Sequence, residues 1–123
     1  MTEADFLKKY AHCAKEETLD HIWITKQSRG THLYLLGSNI SDLSPLFDLS
    51  NLKTLYLVNL IEISRLTDLS PLSGLLNLQE LDCSGTQVSD LSPLSGLLNL
   101  QKLNCYSTQV ADLSPLSGLL NLQ

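Results

Sequence analysis

The twelve residues Asp90-Leu-Ser-Pro-Leu-Ser-Gly-Leu-Leu-Asn-Leu-Gln101 decide the fold, because the same block also occupies residues 68–79 and 112–123. The three copies start at residues 68, 90 and 112, so the period is 22 residues. A fixed period of this length is the signature of a stacked-repeat solenoid, in which each unit buries its apolar side against the next. The sequence therefore predicts an extended repeat architecture that works by binding along an exposed face.

Four repeats follow from this period, over residues 30–51, 52–77, 78–99 and 100–121, and a fifth begins at residue 122. The second repeat is longer than the others, and its extra residues fall around residues 59–64. Leu dominates the composition, with only two Phe and one Trp, which fits one residue type filling a repeating slot. The sequence stops without a recognisable cap, so we expect a fragment of a longer protein whose bare apolar end favours self-association.

Each repeat divides into a strand and a short helical turn. Residues 79–83 alternate between outward polar and inward apolar side chains, which is the period of a half-buried strand. In the second half, Ser92 suits an N-cap and Pro93 suits the first helical position. Leucines three residues apart from Leu91 to Leu97 fit a 3₁₀ turn better than an α-helix. Stacked repeats of this kind place their strands side by side in a parallel sheet.

Residues 1–29 differ from the repeats, and we expect them to form an N-terminal cap. Thr2 is a suitable N-cap, and apolar residues at three- and four-residue spacing predict an amphipathic helix from about residue 2 to residue 17. Residues 21–25 (His-Ile-Trp-Ile-Thr) alternate and are rich in β-formers, which predicts a short strand. A cap would cover the open flank of the first repeat, and a partner-binding helix is the alternative.

The pattern LxxLxLxxTxVxDLxxLxxLxx resembles the 22-residue leucine-rich repeat of the bacterial internalin type, over residues 30–123. The resemblance implies an α/β fold: a right-handed leucine-rich-repeat solenoid with a parallel β-sheet on the concave face and short 3₁₀ segments on the convex side. It also implies non-catalytic recognition of a protein partner by the concave face. The family's asparagine-ladder position holds Ser38, Thr86 and Thr108 here, so we expect a weaker ladder.

The outward strand positions vary between repeats and form columns on the expected concave face. Tyr34 and Tyr56 are neighbours in these columns, with Leu36 and Val58 beside them, and such neighbours suit a recognition patch. An ordinary solvent-facing sheet is the alternative. The predicted partner-binding residues are His32, Tyr34, Leu36, Thr54, Tyr56, Val58, Glu80, Asp82, Lys102, Asn104 and Tyr106.

We expect no catalytic, cofactor-binding or metal-binding residues, because no nucleophile triad, phosphate loop or metal-spaced His pair is evident. Asp42, Asp68, Asp90 and Asp112 recur at one repeat position, directly before Leu-Ser-Pro. Each is expected to accept backbone N–H groups at the start of its 3₁₀ turn. A cation site is the alternative, but a metal needs ligands that converge on one point, and a column does not converge.

The composition limits the partners and the compartment. A net charge of -5 argues against sequence-independent binding to nucleic acid and against attraction to an anionic membrane. Residues 1–9 do not form a secretory signal, and no stretch approaches the roughly 20 apolar residues that span a bilayer. An odd number of cysteines, three, points to a reducing compartment, so we expect the cytoplasm. Cys83 and Cys105 are expected to be buried and unbridged, and Cys13 to lie on the helix.

The sequence leaves two further functions open. Some multi-domain bacterial GTPases resemble this start, with a short helix and then repeats before the nucleotide-binding domain, and the repeats would then be regulatory. A purely structural spacer is the other possibility. A Walker-type loop after residue 123 would favour the enzyme, and only further repeats there would favour the binding module.

Overall fold

The computed structural model describes residues 1–35, 40–57 and 65–123 of the chain. Within these residues, two helices precede four short strands that alternate with four 3₁₀ turns. The helices are α1 (Glu3–Tyr10) and α2 (Glu16–Gln27). The strands are β1 (His32–Tyr34), β2 (Thr54–Tyr56), β3 (Glu80–Asp82) and β4 (Lys102–Asn104). The 3₁₀ turns are Ser44–Leu46, Ser70–Leu72, Ser92–Leu94 and Ser114–Leu116.

The strands form one parallel sheet in chain order, β1-β2-β3-β4. Residues at the same repeat position pair across neighbouring strands, so that Leu33 faces Leu55, Leu55 faces Leu81 and Leu81 faces Leu103. Parallel strands need a crossover connection, and the first three 3₁₀ turns each lie in one of the three crossovers, while the fourth follows β4. The predicted leucine-rich-repeat solenoid is confirmed.

The core lies between the sheet and the row of 3₁₀ turns. Successive repeats present their leucines to the same layer, because the period-two alternation of the strand and the three-residue spacing of the turn both face inward. The buried leucines include Leu33, Leu55 and Leu81 from the strands and Leu46, Leu72 and Leu94 from the turns. Burial of this kind, repeated along the chain, is the main stabilising term of a solenoid.

Asparagine amides join neighbouring repeats. The side-chain N–H of Asn77 donates to the Ser50 carbonyl at 2.8 Å, and that of Asn99 donates to the Leu76 carbonyl at 2.9 Å. Asn121 makes the same contact with the preceding repeat, through the carbonyl of Leu98 at 3.1 Å. These bonds form an amide ladder at the ends of the second, third and fourth repeats.

The sequence predicted a weaker ladder of hydroxyl groups at Ser38, Thr86 and Thr108. This prediction is wrong for the two threonines, and Ser38 lies outside the described residues. The Thr86 and Thr108 hydroxyls each donate at 2.7 Å to a carbonyl three residues earlier in the same repeat, Cys83 and Cys105 respectively. These short local bonds tighten the turn after the strand. They do not connect one repeat to the next.

The predicted first helix is too long. Helix α1 begins as expected, with a capping box in which Thr2 accepts from the Asp5 N–H at 3.2 Å and Asp5 accepts from the Thr2 N–H at 3.2 Å. The helix ends at Tyr10, and a turn then directs Cys13 into the core. Glu16 and Glu17, assigned by the sequence to the end of this helix, are instead the acidic first turn of α2, where the helix dipole favours them.

The predicted strand at residues 21–25 is wrong, because these residues belong to α2. Leu19, Ile22 and Thr25 lie three residues apart and are the buried face of this helix. The Trp23 ring packs against Phe6 of α1, with ring centroids 5.2 Å apart. Tertiary packing therefore overrides the β-preference of a short run. Helix α2 also contacts β1 and the first 3₁₀ turn, so it packs against the first repeat.

The last repeat is less buried than those before it. Leu113 is 59 % exposed, whereas Leu91 at the same position of the preceding repeat is 1 % exposed. Leu103 and Val110 are likewise only half-buried. Self-association through this end stays a prediction.

Candidate protein-recognition face

The side chains that point away from the core along the four strands form the open face of the sheet. The strand register confirms two of the expected columns. The first column is His32, Thr54, Glu80 and Lys102, and the second is Tyr34, Tyr56, Asp82 and Asn104. The third column was predicted to contain Leu36, Val58, Ser84 and Tyr106, of which Leu36 and Val58 lie outside the described residues.

An aromatic cluster occupies the β1 and β2 end of the open face. The rings of Tyr34 and Tyr56 meet edge to face, with centroids 5.0 Å apart. The His32 ring lies 6.3 Å from that of Tyr34. Tyr34 is 44 % exposed, so a large apolar surface with a polar tip faces solvent. Aromatic side chains held in this way are typical anchors of protein interfaces.

The hydroxyl group of Tyr56 donates a hydrogen bond to the Glu80 carboxylate on the next strand. This bond, together with burial and the negative charge of Glu80, raises the pKa of Tyr56 to about 12. The hydroxyl therefore stays protonated, and the bond holds the Tyr56 ring in place. The aromatic cluster is thus pre-organised, which reduces the entropy lost on binding.

Strand β3 presents two acidic side chains next to the aromatic cluster. Glu80 and Asp82 are both half-buried, and Asp82 accepts from the Ser84 N–H at 2.9 Å. On β4, Asn104 contacts Asp82 at 3.4 Å and accepts from the Tyr106 N–H at 3.0 Å. Lys102 and Tyr106 are exposed, the latter by 78 %. The open face therefore changes from aromatic to acidic to polar and basic across the sheet.

One predicted contact residue is not available on this face. Thr54 is only 9 % exposed, although its position in the strand is an outward one. Its short side chain lies between the longer His32 and Glu80 of the neighbouring strands. The sequence could give the direction of this side chain but not how far its neighbours cover it.

Hollows that could hold a partner lie on several sides of the molecule, among them one of about 450 Å³ beside α2. Another of about 380 Å³ lies over the open face and is lined by residues of β2, β3 and β4, among them Tyr56, Asp82 and Lys102. A larger hollow of about 550 Å³ lies away from the sheet, between α1 and the first two 3₁₀ turns, where Phe47 is 56 % exposed. Size therefore does not identify the recognition site.

The aspartate column is structural, as predicted. The Oδ1 atoms of Asp42, Asp68, Asp90 and Asp112 accept from the N–H two residues later at 2.8, 2.8, 2.8 and 2.9 Å. Hydrogen bonds from Ser92 and Ser114 lower the pKa of the Asp90 and Asp112 carboxyl groups. The sequence predicted that Ser is the N-cap of each 3₁₀ turn, and this is wrong. Each Ser is instead the first residue of its turn, and its N–H donates to the Asp two residues earlier.

The sequence missed one cluster of metal-ligating types. His12 Nε2 lies 3.4 Å from Cys13 Sγ and 3.7 Å from Asp42 Oδ2, and the three ligand atoms all lie within 4.8 Å of one another. Cys13 is buried in the turn between α1 and α2, so its predicted place on the helix is wrong. Burial raises the pKa of its thiol to about 11, with Asp42 adding to the effect. The His-Cys dipeptide was the available sequence signal, but Asp42 is distant along the chain.

The other two cysteines are also free thiols. Cys83 is buried and Cys105 is half-buried. Burial raises the pKa of the Cys83 thiol to about 12. Cys83 therefore behaves as the predicted small apolar residue, whereas Cys105 is less covered because it lies in the last repeat.

Solved structures that share this architecture include two internalins. Internalin C2 from Listeria monocytogenes matches with a TM-score of 0.53 and 36 % sequence identity, over 76 % of this chain and 49 % of its own. The internalin inlF from the same organism matches with a TM-score of 0.59 and 26 % identity, over 89 % of this chain and 42 % of its own. This chain thus spans half or less of the length of both. No family model and no curated protein matches the chain.

The parallel sheet, the 3₁₀ turns and the N-terminal helices define the class as a leucine-rich-repeat solenoid. The chain is a leucine-rich-repeat protein of the bacterial internalin type, as its repeat pattern indicated. The similarity supports a protein-interaction module in general. Among the described residues, no helix has the length and apolar character needed to cross a membrane.

Proposed function

We propose that the chain is a non-catalytic module that binds a protein partner through the open face of the sheet, the concave face of an internalin-type solenoid. The observation that carries this proposal is the edge-to-face pair Tyr34–Tyr56, with centroids 5.0 Å apart and held by the Tyr56–Glu80 hydrogen bond. A rigid scaffold presents the pair on adjacent strands, so little ordering is needed on binding.

The charges beside the pair indicate what the partner presents. Glu80 and Asp82 lie on β3, next to the aromatic cluster, and both are half-buried. A complementary surface has an apolar or aromatic group for the Tyr34–Tyr56 pair and a Lys or Arg that reaches β3. Arg suits this position, because its guanidinium pairs with carboxylates and also stacks on aromatic rings.

The binding residues are proposed to be those predicted from the sequence, except Thr54, which is nearly buried.

The proposed cap over residues 1–29 is supported by the contacts of α2 with β1 and the first 3₁₀ turn. The cytoplasmic location, the GTPase alternative and the spacer alternative stay predictions.

The proposal can be tested with peptides selected from a random library on the wild-type chain. Replacing both tyrosines (Tyr34→Ala with Tyr56→Ala) removes the aromatic anchors, and anchors of this type contribute about 2 kcal/mol or more to binding. We therefore expect the affinity of the selected peptides, measured by calorimetry, to fall at least about thirtyfold. The circular dichroism spectrum should stay unchanged.

Phe47→Ala is the matched control, because it removes an exposed aromatic side chain beside the larger hollow away from the sheet. We expect this variant to bind the selected peptides as the wild type does. Peptides that bind the double tyrosine variant at full affinity and lose affinity for Phe47→Ala would overturn the assignment to the sheet.

A further inference from the structure

We propose that His12, Cys13 and Asp42 form a binding site for a divalent transition ion of the zinc class, which joins the N-terminal helices to the first repeat. His12 and Cys13 lie in the turn between α1 and α2, and Asp42 lies just before the first 3₁₀ turn. The three ligand atoms come from different residue types and lie within 4.8 Å of one another. Unlike the column of aspartates, they meet at one point.

The spacing of the ligand atoms fits a tetrahedral ion. Zinc bonds of about 2.3 Å to sulfur and about 2.0–2.2 Å to nitrogen or oxygen place two ligand atoms roughly 3.3–3.6 Å apart at a tetrahedral angle. Here Cys13 Sγ is 3.4 Å from His12 Nε2, and His12 Nε2 is 3.7 Å from Asp42 Oδ2. These two separations fit a tetrahedral ion, and the third, between Cys13 and Asp42, is no more than 4.8 Å.

The surrounding contacts orient the ligands. Asp42 uses Oδ1 to accept from the Ser44 N–H at 2.8 Å and from the Ser44 hydroxyl at 2.6 Å, and Oδ2 faces His12. The Cys13 carbonyl accepts from the Ser41 N–H at 2.9 Å, which ties the turn to the first repeat. Such outer contacts fix the direction of metal ligands in known sites.

The ligand set also indicates the kind of ion. A thiolate and an imidazole favour zinc and its transition-metal neighbours over calcium or magnesium, which prefer oxygen ligands. A +2 ion with one thiolate, one carboxylate and one neutral imidazole makes a site of zero net charge. Binding releases one proton, that of the Cys13 thiol. A hollow of about 270 Å³, lined in part by His12, Cys13 and Ser41, gives access for the ion and for a water molecule as fourth ligand.

A nucleophilic Cys-His-Asp triad does not fit this geometry. In a triad the nucleophile and the carboxylate contact opposite nitrogens of the imidazole ring. Here both Cys13 Sγ and Asp42 Oδ2 face the same atom, Nε2 of His12. The three ligand atoms thus surround one point, which is what a shared ion requires.

Cobalt(II) titration of the metal-free, reduced 123-residue chain tests the proposal, because a cysteine thiolate bound to cobalt gives a charge-transfer absorption band. We expect a band that saturates at one ion per chain and disappears when zinc is added. Cys13→Ser should abolish the band, whereas Cys105→Ser, which removes a thiol outside the cluster, should leave it. Absence of the band in the wild type, or its persistence in Cys13→Ser, would overturn the proposal.

A second pair of variants avoids the buried cysteine. The His12 side chain is 69 % exposed, so His12→Gln should leave the fold intact while it lowers cobalt affinity about tenfold or more. His21→Gln, at an exposed position on α2, is the control and should bind cobalt as the wild type does. Zinc should raise the melting temperature of the wild type and of His21→Gln by the same amount, and that of His12→Gln by less. Equal cobalt affinity in both variants would contradict the assignment of His12.

Discussion

At the scale of single residues, the asparagine at the end of the second, third and fourth repeats links its side chain to the backbone of the preceding repeat. Asn77, Asn99 and Asn121 each donate to a carbonyl of the preceding repeat. The bond repeats because successive turns stack in the same register. A residue that a sequence pattern marks as a turn former thus also joins the repeats.

Asn99→Ala should lower the free energy of unfolding by about 0.5–1.5 kcal/mol, the usual contribution of one hydrogen bond. The amide bond to the Leu76 carbonyl is lost, and a carbonyl at the repeat junction loses its partner. Chemical denaturation measures the change. Gln87→Ala, at an exposed position of the same repeat, is the control and should change stability by less than about 0.5 kcal/mol. Equal losses in the two variants would rule out a specific role for the amide.

Some single-residue roles could be predicted from the sequence and others could not. The hydrogen bonds of the aspartate column could be predicted, because each Asp accepts from the N–H of the Ser two residues later in the sequence. The Asn ladder and the His12–Cys13–Asp42 cluster depend on how distant segments stack, and no local pattern contains that information. The near burial of Thr54 has the same cause.

At the scale of elements, the repeats were easier to predict than the N-terminal segment. Each strand and each 3₁₀ turn repeats several times, so the pattern is supported by several copies. Helix α2 occurs once, and His-Ile-Trp-Ile-Thr taken alone favours a strand. Its helical form follows from contacts with α1, β1 and the first 3₁₀ turn. The long predicted first helix failed for the same reason, since only packing shows that the chain turns after Tyr10.

Leu94→Ala should destabilise the chain by about 2–5 kcal/mol, because it leaves a cavity in a close-packed layer where Leu94 is 0 % exposed. Leu98, in the same repeat, is 61 % exposed, so Leu98→Ala should have an effect within about 0.5 kcal/mol. The two variants delete the same atoms and differ only in burial. A loss below about 1 kcal/mol for Leu94→Ala in chemical denaturation would argue against the core register.

At the scale of the whole molecule, the repeats separate a constant core from a variable surface. The buried repeat positions recur mainly as Leu, with Ile, Val or Cys at some of them, while the open face changes from aromatic residues on β1 and β2 to acidic ones on β3 and a Lys on β4. The sequence predicted this face because alternation along a strand fixes the direction of each side chain. The hydrogen bond between Tyr56 and Glu80 could be identified only in the structure, because the two residues lie in different repeats.

Chemical-shift mapping by NMR tests most directly whether this face recognises the partner. A ¹⁵N-labelled chain is titrated with a peptide selected on the wild type. Binding through the open face predicts that the largest amide shifts fall on β1 to β4, around Tyr34, Tyr56, Glu80 and Lys102. Shifts concentrated around Phe47 and the 3₁₀ turns, with the strand amides unchanged, would contradict the account.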